Sequence, residues 1–517
     1  MAAFATIIAG VAAGTAKAAE TPDPLLDLFV KKGLVTQQEA DQVKAEADAM
    51  RTNEVAAMEA ASRWKISKGI KDIGLYGDLR LRYEDRTAQT LANGKIDLNR
   101  LRTAVRLGLK GDAFDNFYYG VRLDTSSNPR SSWVTLGSSS SGAPFNGPFG
   151  KSTFGVDVGQ VYLGWKPTSW LDLTAGKMPM PLYTTPMVWD SDFYPEGLAE
   201  HLTYTVGHAD LWGNFGQFVY EDVNPTTATG GLGINGLTGQ NSENVFQFAW
   251  QGGVTYHITT NVTAKVGATI YKYVGMKRSD AKHPFSPGLG DPFVGEGSYL
   301  GPGTGTTPGA SGYPTSGVTP GFESANFPNN QVGLDHLTIL EVPFEFNFPV
   351  SKFDARLFGD FAYNFDGKAR AEAAANAYQA YLTRNSATIS GFKPQTDENK
   401  AYQIGLAIGS HNNLGMVYGS TSRRHAWEAR FYYQHTEQYA LDPNLIDSDF
   451  FEGRGNLEGF YSSIAYGLSD NLIATLRYGY ATRINSKLGT GGDNQDIPQV
   501  NPVTQYNLLQ LDLTLRF

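Results

Sequence analysis

The stretch that decides the fold is Thr504-Gln505-Tyr506-Asn507-Leu508-Leu509-Gln510-Leu511-Asp512-Leu513-Thr514-Leu515-Arg516-Phe517. Leu509, Leu511, Leu513, Leu515 and Phe517 fall on one parity, and Leu508, Gln510, Asp512, Thr514 and Arg516 on the other. Successive side chains of a strand point to opposite sides, so this alternation is a strand with one apolar and one mainly polar face. Taken alone it fits the edge of a soluble sandwich equally well. Recurrence along the chain decides between the two.

The pattern recurs from the amino-terminal side. Leu75, Gly77, Leu79, Leu81 and Tyr83 oppose Tyr76, Asp78, Arg80, Arg82 and Glu84. Leu101, Thr103, Val105, Leu107 and Leu109 oppose Arg100, Arg102, Arg106 and Lys110, and a third strand opposes Val121 and Leu123 to Arg122 and Asp124. Sixteen candidate strands lie near residues 72–86, 98–110, 116–125, 157–166, 170–177, 198–206, 210–221, 243–257, 261–275, 336–348, 352–365, 399–409, 423–438, 457–468, 471–483 and 504–517. Their connections alternate between tight turns, such as Gly207-His208-Ala209 and Ser469-Asp470, and long loops. The long ones include 126–156, 222–242, 276–335 and 366–398, and the gap from Ser410 to Ser422 departs from the alternation. An even strand number with short turns at one end and long loops at the other is what a transmembrane barrel requires. A sheet spanning hydrocarbon must close, because an open edge would leave backbone groups unpaired in lipid. The expected fold is therefore all-β, an antiparallel transmembrane β-barrel of about 16 strands, with a short N-terminal helical segment.

Composition agrees. Charged residues are 18% of the chain, below the roughly 25% of ordinary globular domains. Glycine (58), tyrosine (27) and phenylalanine (29) are abundant, and cysteine is absent. Without cysteine the chain has neither disulfides nor zinc thiolate sites. A net charge of -9 speaks against a nucleic-acid surface. Residues 1–19 read as a secretory signal peptide ending Ala16-Lys17-Ala18-Ala19, although the basic n-region is missing. Residues 20–70 read as a periplasmic helical segment: Asp23 to Gly33 has an acidic start and a glycine stop, and Thr36 with Glu39 forms a capping box. Residues 71–517 are the barrel. Within its loops, residues 276–335 are rich in Gly, Ser, Pro and Thr, and an Ala-rich helix is expected from Lys368 to about Leu382.

No motif carries enzymatic chemistry. G-x-S-x-G, the phosphate-binding G-x-x-x-x-G-K-[ST] and H-E-x-x-H are all missing, and the histidines are dispersed. No cofactor is expected. Asp447, Asp449 and Glu452 could offer oxygen ligands to Ca²⁺, but their spacing is not that of an EF-hand, and a solvated acidic loop is the simpler reading. The basic residues are more informative. Arg80, Arg82, Arg100, Arg102, Arg106 and Arg122 all fall on the polar face of adjoining strands, together with Asp78, Glu84 and Asp124. Inside a barrel such a wall would bias the passage of charged solutes, or the two signs would pair laterally across strands. With Lys177 these nine make up the expected pore-lining set.

The charged first strand Gly74-Leu75-Tyr76-Gly77-Asp78-Leu79-Arg80-Leu81-Arg82-Tyr83-Glu84 and the terminal strand ending in Phe517 resemble the bacterial outer-membrane Putative porin family, distantly similar to phosphate-selective porins. Gly176-Lys177-Met178-Pro179, Trp189-Asp190-Ser191-Asp192 and Pro195-Glu196-Gly197 are similar to a strand-and-loop segment of that group, and Asp447-Ser448-Asp449-Phe450 to a late loop. The resemblance implies a barrel, commonly trimeric, passing small hydrophilic solutes or anions through the outer membrane of a Gram-negative bacterium. Its partners would be outer-membrane lipids and two further copies of itself. The other reading of the same barrel is a surface adhesin or receptor acting through its long loops. A third is a secreted carbohydrate-binding β protein.

Overall fold

The computed structural model describes residues 32, 69–89, 94–126, 131–137, 155–221, 245–274, 337–372, 375, 395–419, 423–442, 444–490 and 503–517. The expected signal peptide lies outside these residues, as does the expected N-terminal helical segment apart from residues 32, 69 and 70. The loops 222–242 and 276–335 lie wholly outside them too.

Every expected strand is present to within a few residues. In chain order they are β1 (Gly74–Gln89), β2 (Lys95–Asp112), β3 (Phe117–Ser126), β4 (Val134–Thr135), β5 (Gly155–Thr168), β6 (Leu171–Lys177), β7 (Glu196–Val206), β8 (Ala209–Glu221) and β9 (Val245–Thr259). There follow β10 (Val262–Val274), β11 (Thr338–Glu341), β12 (Phe344–Val350), β13 (Phe353–Asn364), β14 (Lys400–Ser410), β15 (Trp427–Thr436), β16 (Leu457–Gly467), β17 (Leu472–Arg483) and β18 (Gln505–Arg516). Two of these do not add staves. β4 is a two-residue strand inside a long loop, paired with Arg102 and Thr103 of β2. β11 and β12 are one stave interrupted at Val342-Pro343, where proline lacks the N–H that the ladder needs. Sixteen antiparallel staves remain. The sheet closes when β1 pairs with β18 from Asp78↔Arg516 to Gln89↔Gln505.

The closed sheet is inverted relative to a soluble protein. Leu75, Leu107, Leu163, Trp250, Ile404 and Ile464 stand exposed on its outer face, each between 44% and 55% accessible. Asp78, Arg82, Glu84, Arg86, Arg102, Arg106, Arg122, Gln251, Glu341, Asp360 and Asp512 are buried on its inner face. Only a barrel whose outside meets lipid and whose inside is polar satisfies both sets. Among the described residues no helix is long and apolar enough to cross a membrane. The described helix is short and lies at residues 367–372, at the start of the Ala-rich segment.

Among the described residues, three connections join apolar clusters on the inner wall of the barrel. The gap after β14 turns inward through a short 3-10 turn, Met416–Tyr418, whose Met416 and Val417 pack on Ala465 and Ile473. Residues 178–195, between β6 and β7, carry prolines 179, 181, 186 and 195, which rule out a strand. They also carry Met178, Leu182, Met187, Val188 and Trp189, all buried against Ala199, Phe218, Ala249 and Tyr271 of the inner wall. The β15–β16 connection joins the same cluster through Ala440, Leu441 and Ile446. Apolar loops of this kind have no cover in water, and the inner wall supplies it.

Candidate functional site

The site is built where the closing strands bring charge together. Alternation along β1 puts Asp78, Arg80, Arg82, Glu84 and Arg86 on the inner face, and the β1–β2 register sets Arg106 beside Asp78, Arg102 beside Arg82 and Arg100 beside Glu84. Across the closure, Asp512 of β18 sits beside Arg82 and beside Thr475 of β17. Glu84 is fully buried and is contacted by Arg100 at 2.5 Å, Arg86 at 3.0 Å, and Arg82 and Arg102 at 3.8 Å. Asp78 holds Arg80 and Arg106, each at 2.8 Å, and Asp124 holds Arg122 at 2.6 Å. Arg82 bridges Asp512 at 2.7 Å and Asp449 at 2.9 Å, and Arg477 donates to Asp512 as well. The guanidiniums of Arg82 and Arg122 also stack on rings, at 4.1 Å over Trp133 and 4.4 Å over Tyr194.

Nine of the ten expected pore-lining residues thus converge on one inner wall. Lys177 does not join them. It ends β6 in register with Val161 and Glu196, on the outer face, and pairs with Glu196 at 2.5 Å. Four further members were not in the expected set: Arg86, Asp512, Arg477 of β17 and the loop carboxylate Asp449. Arg86 and Asp512 share the parity of Arg82 and Asp78 or of Gln510 and Thr514, so the alternation itself is the signal that finds them.

The two loop segments singled out by the sequence meet above this wall. Asp190 accepts hydrogen bonds from the Ser448 N–H at 3.0 Å, the Ser448 hydroxyl at 2.9 Å and the Asp192 N–H at 2.9 Å. The Asp190 N–H donates to the Leu445 carbonyl at 2.6 Å, and the Asp447 N–H to the Pro186 carbonyl at 3.1 Å. Further along the inward loop, Thr184 and Thr185 donate to Glu341 at 2.6 Å and Asp360 at 2.5 Å on β11 and β13. The loop therefore crosses the lumen, tied to the far wall at one end. At its other end Asp192 approaches Arg106 at 3.6 Å.

Asp447, Asp449 and Glu452 are held by other protein groups. Asp449 is bound by Arg82 and Arg86, Glu452 pairs with Arg454 at 2.8 Å, and Asp447 accepts the N–H groups of Asp449 and Phe450. Among the described residues no three acidic, histidine or cysteine side chains form a metal-holding group. Burial raises the Asp449 carboxyl, but Arg82 and Arg86 more than offset this and hold it at about 2. Burial first, and then the charge of Asp449, pushes Asp447 up to about 7. Burial and the charges of Asp447 and Asp192 push Asp190 well above the ordinary range.

These shifts give the loop contact a pH dependence. A carboxyl raised in the folded state favours the packed, protonated form. That contribution is full below the ordinary value of 3.8 and is lost as pH rises through the raised one, about 7 for Asp447. Open-channel current noise is expected to grow between pH 5 and pH 8 as the two loops loosen, and Asp447→Asn is expected to flatten the trend. Equal noise at both pH values in the parent protein would refute this.

The chain matches the family described as Putative porin over residues 78–287 and 319–517, which includes both closing strands and the inner wall. A search of curated proteins finds no match. Among solved structures, the chain is similar to outer-membrane expressed OmpT of Vibrio cholerae, with 10% identity, TM-score 0.39, and 88% of this chain and 100% of that one covered. It is also similar to an anion-selective porin from Comamonas acidovorans, with 8% identity, TM-score 0.40, and 86% and 99% covered. The family match spans most of the chain and coincides with the sixteen staves and their charged inner wall, so the protein belongs to the Putative porin family of bacterial outer-membrane porin-like β-barrels.

Proposed function

We propose that the protein is an outer-membrane porin that passes small hydrophilic solutes by passive diffusion, with a preference for anions. One observation carries the preference. Arg80, Arg82, Arg86, Arg100, Arg102, Arg106, Arg122 and Arg477 share one inner wall with six carboxylates, Asp78, Glu84, Asp124, Asp192, Asp449 and Asp512, so that wall keeps an excess of positive charge. Rigid guanidiniums held by carboxylates keep their remaining N–H donors aimed at solutes, and a lumen with net positive potential concentrates anions. The interleaved carboxylates favour a mild, general anion preference over a dedicated phosphate ladder. In this reading Arg80, Arg82, Arg100, Arg102, Arg106, Arg122, Asp78, Glu84 and Asp124 line the passage, and the loop 178–195 sets its size limit. The short turns face the periplasm and the long loops face outward.

The assembly we propose is a homotrimer. It is favoured by the outer face of β6 to β8, where Lys177–Glu196 and Glu200–Gln217 place polar pairs on a wall that includes the seven-residue β6. A strand that crosses the hydrocarbon needs about 9–11 residues, and a neighbouring subunit covers such a low, polar stretch better than lipid does. In a planar bilayer, one insertion is expected to give three equal conductance steps, with a reversal potential displaced toward anions under a salt gradient. The triple variant Arg80→Ala, Arg102→Ala, Arg122→Ala is expected to move that potential toward zero. An unchanged potential would overturn the assignment of the wall, and no conductance under conditions where another porin conducts would favour the adhesin reading.

A further inference from the structure

We infer that the lumen holds a second anion station on the wall opposite the arginines, at Lys265, Tyr183 and Trp212, and that it takes small organic carboxylates with flat apolar bodies. This deepens the porin reading and rests on it. In stave order β10 stands eight places from β1, half-way round the barrel of sixteen. Lys265 therefore faces the arginine wall from the far side.

Lys265 takes no part in the ion-pair network of the described residues. Its cross-strand neighbour Glu345 is engaged by Arg356 at 3.4 Å and by Asn347 at 3.3 Å. Among the described residues, no carboxylate lies within ion-pair distance of Lys265. Instead the ammonium sits 3.8 Å from the ring centre of Tyr183 and 5.2 Å from that of Trp212. Those two rings meet edge-on, 5.8 Å apart at 90°. Among the described residues, the buried Trp212 indole N–H also has no acceptor. Two donors, one charged and one neutral, thus flank the same aromatic corner with nothing to donate to. A buried donor left unmatched costs about 1–3 kcal/mol, and an anion that accepts from it recovers that loss.

The corner is built and held. Gly253 and Gly267 let Trp212 lie flat on the wall, since a Cβ on either would come within 2.1 Å or 2.7 Å of the ring. Gln251 fixes Tyr183 from below. Its amide donates to the Tyr183 carbonyl at 2.7 Å, and its oxygen accepts the Tyr183 N–H at 2.8 Å. Tyr183 belongs to the inward loop, so the station lies where that loop crosses the lumen. The chemistry selects the ligand class. One ammonium and one indole N–H match the two oxygens of a carboxylate, whereas a phosphate dianion asks for more donors than the corner offers. Aromatic walls beside them favour a flat apolar body over a hydrated one.

Single-channel recording of the full-length protein with benzoate or acetate added on one side tests this. Benzoate is expected to produce resolvable current blockades and acetate none of comparable length. Lys265→Gln is expected to shorten the benzoate residence time about tenfold, and Trp212→Phe, which keeps an aromatic ring and loses the N–H, about threefold. Benzoate residence no longer than that of acetate, or the same in Lys265→Gln and Trp212→Phe as in the parent, would overturn the station while leaving the porin reading standing. A protein that inserts but never conducts would overturn both.

Discussion

Replacing Glu84 by glutamine is expected to shift the reversal potential further toward anions and to destabilise the barrel. Glu84 is the shared counter-ion of Arg82, Arg86, Arg100 and Arg102, and Gln510 donates to it at 2.8 Å from the closing strand. The substitution keeps the shape of the side chain and removes its charge, leaving four guanidiniums, two on β1 and two on β2, with less to oppose them. One charge about 4 Å from a passing ion is worth roughly 1 kcal/mol in a watery lumen, which corresponds to about a fivefold change in anion-to-cation permeability. Breaking a buried ion pair from one side costs about 3–5 kcal/mol. Asp449 and Asp512 still hold Arg82, so the loss measured by urea unfolding in detergent is expected at the lower end, about 3 kcal/mol. A reversal potential equal to that of the parent protein would mean that these arginines do not face the permeating ions.

The barrel was legible in the sequence because a period of two survives any tertiary context in which one face meets lipid and the other meets water. The register was legible at its ends, since Phe517 and the β1 leucines imply a closing ladder. The parity rule reached further than the expected site used it. Leu171 and Leu173 already place Lys177 on the outer face, and Asp78 and Arg82 already place Arg86 within. The inward loop was harder to see. Residues 178–195 show neither period, and no local rule tells an apolar loop packed inside a barrel from an irregular external one. Its mark is composition: methionine, leucine, valine and tryptophan among four prolines, unlike the Gly/Ser/Thr-rich loop 276–335. The meeting of Asp190 with Ser448 joins positions 258 residues apart, a contact that only the closed sheet creates. The same is true of Lys265 with Tyr183. Pairing within strands is local and written in order, whereas the lumen is assembled from loops that arrive from different staves.

Leu513→Arg is expected to be among the most damaging single changes in the chain, although it touches none of the charged wall. Leu513 lies on the outer face of β18, level with Leu81 of β1 and Ala474 of β17. An arginine facing hydrocarbon near the middle of a barrel strand costs about 2–4 kcal/mol, falling to about 0–1 kcal/mol near the interface. Asn507→Arg supplies the comparison, because Asn507 is on the same face of the same strand but at the long-loop end, bonded to Thr87 at 3.2 Å. The first variant is expected to lose heat-resistant migration on a gel or to fold with a stability lower by about 2–4 kcal/mol, and the second to stay within about 1 kcal/mol of the parent. Because β18 is also the closing strand, the cost at Leu513 falls on the step that removes both sheet edges. Closure ends at Phe517, whose N–H donates to Gly77 at 3.2 Å and whose carbonyl accepts from Gly77 at 3.0 Å, with its ring lying against the glycine. Equal stability of the two variants would mean that the apolar parity of the last fourteen residues does not face lipid, and the transmembrane reading of that strand would fall.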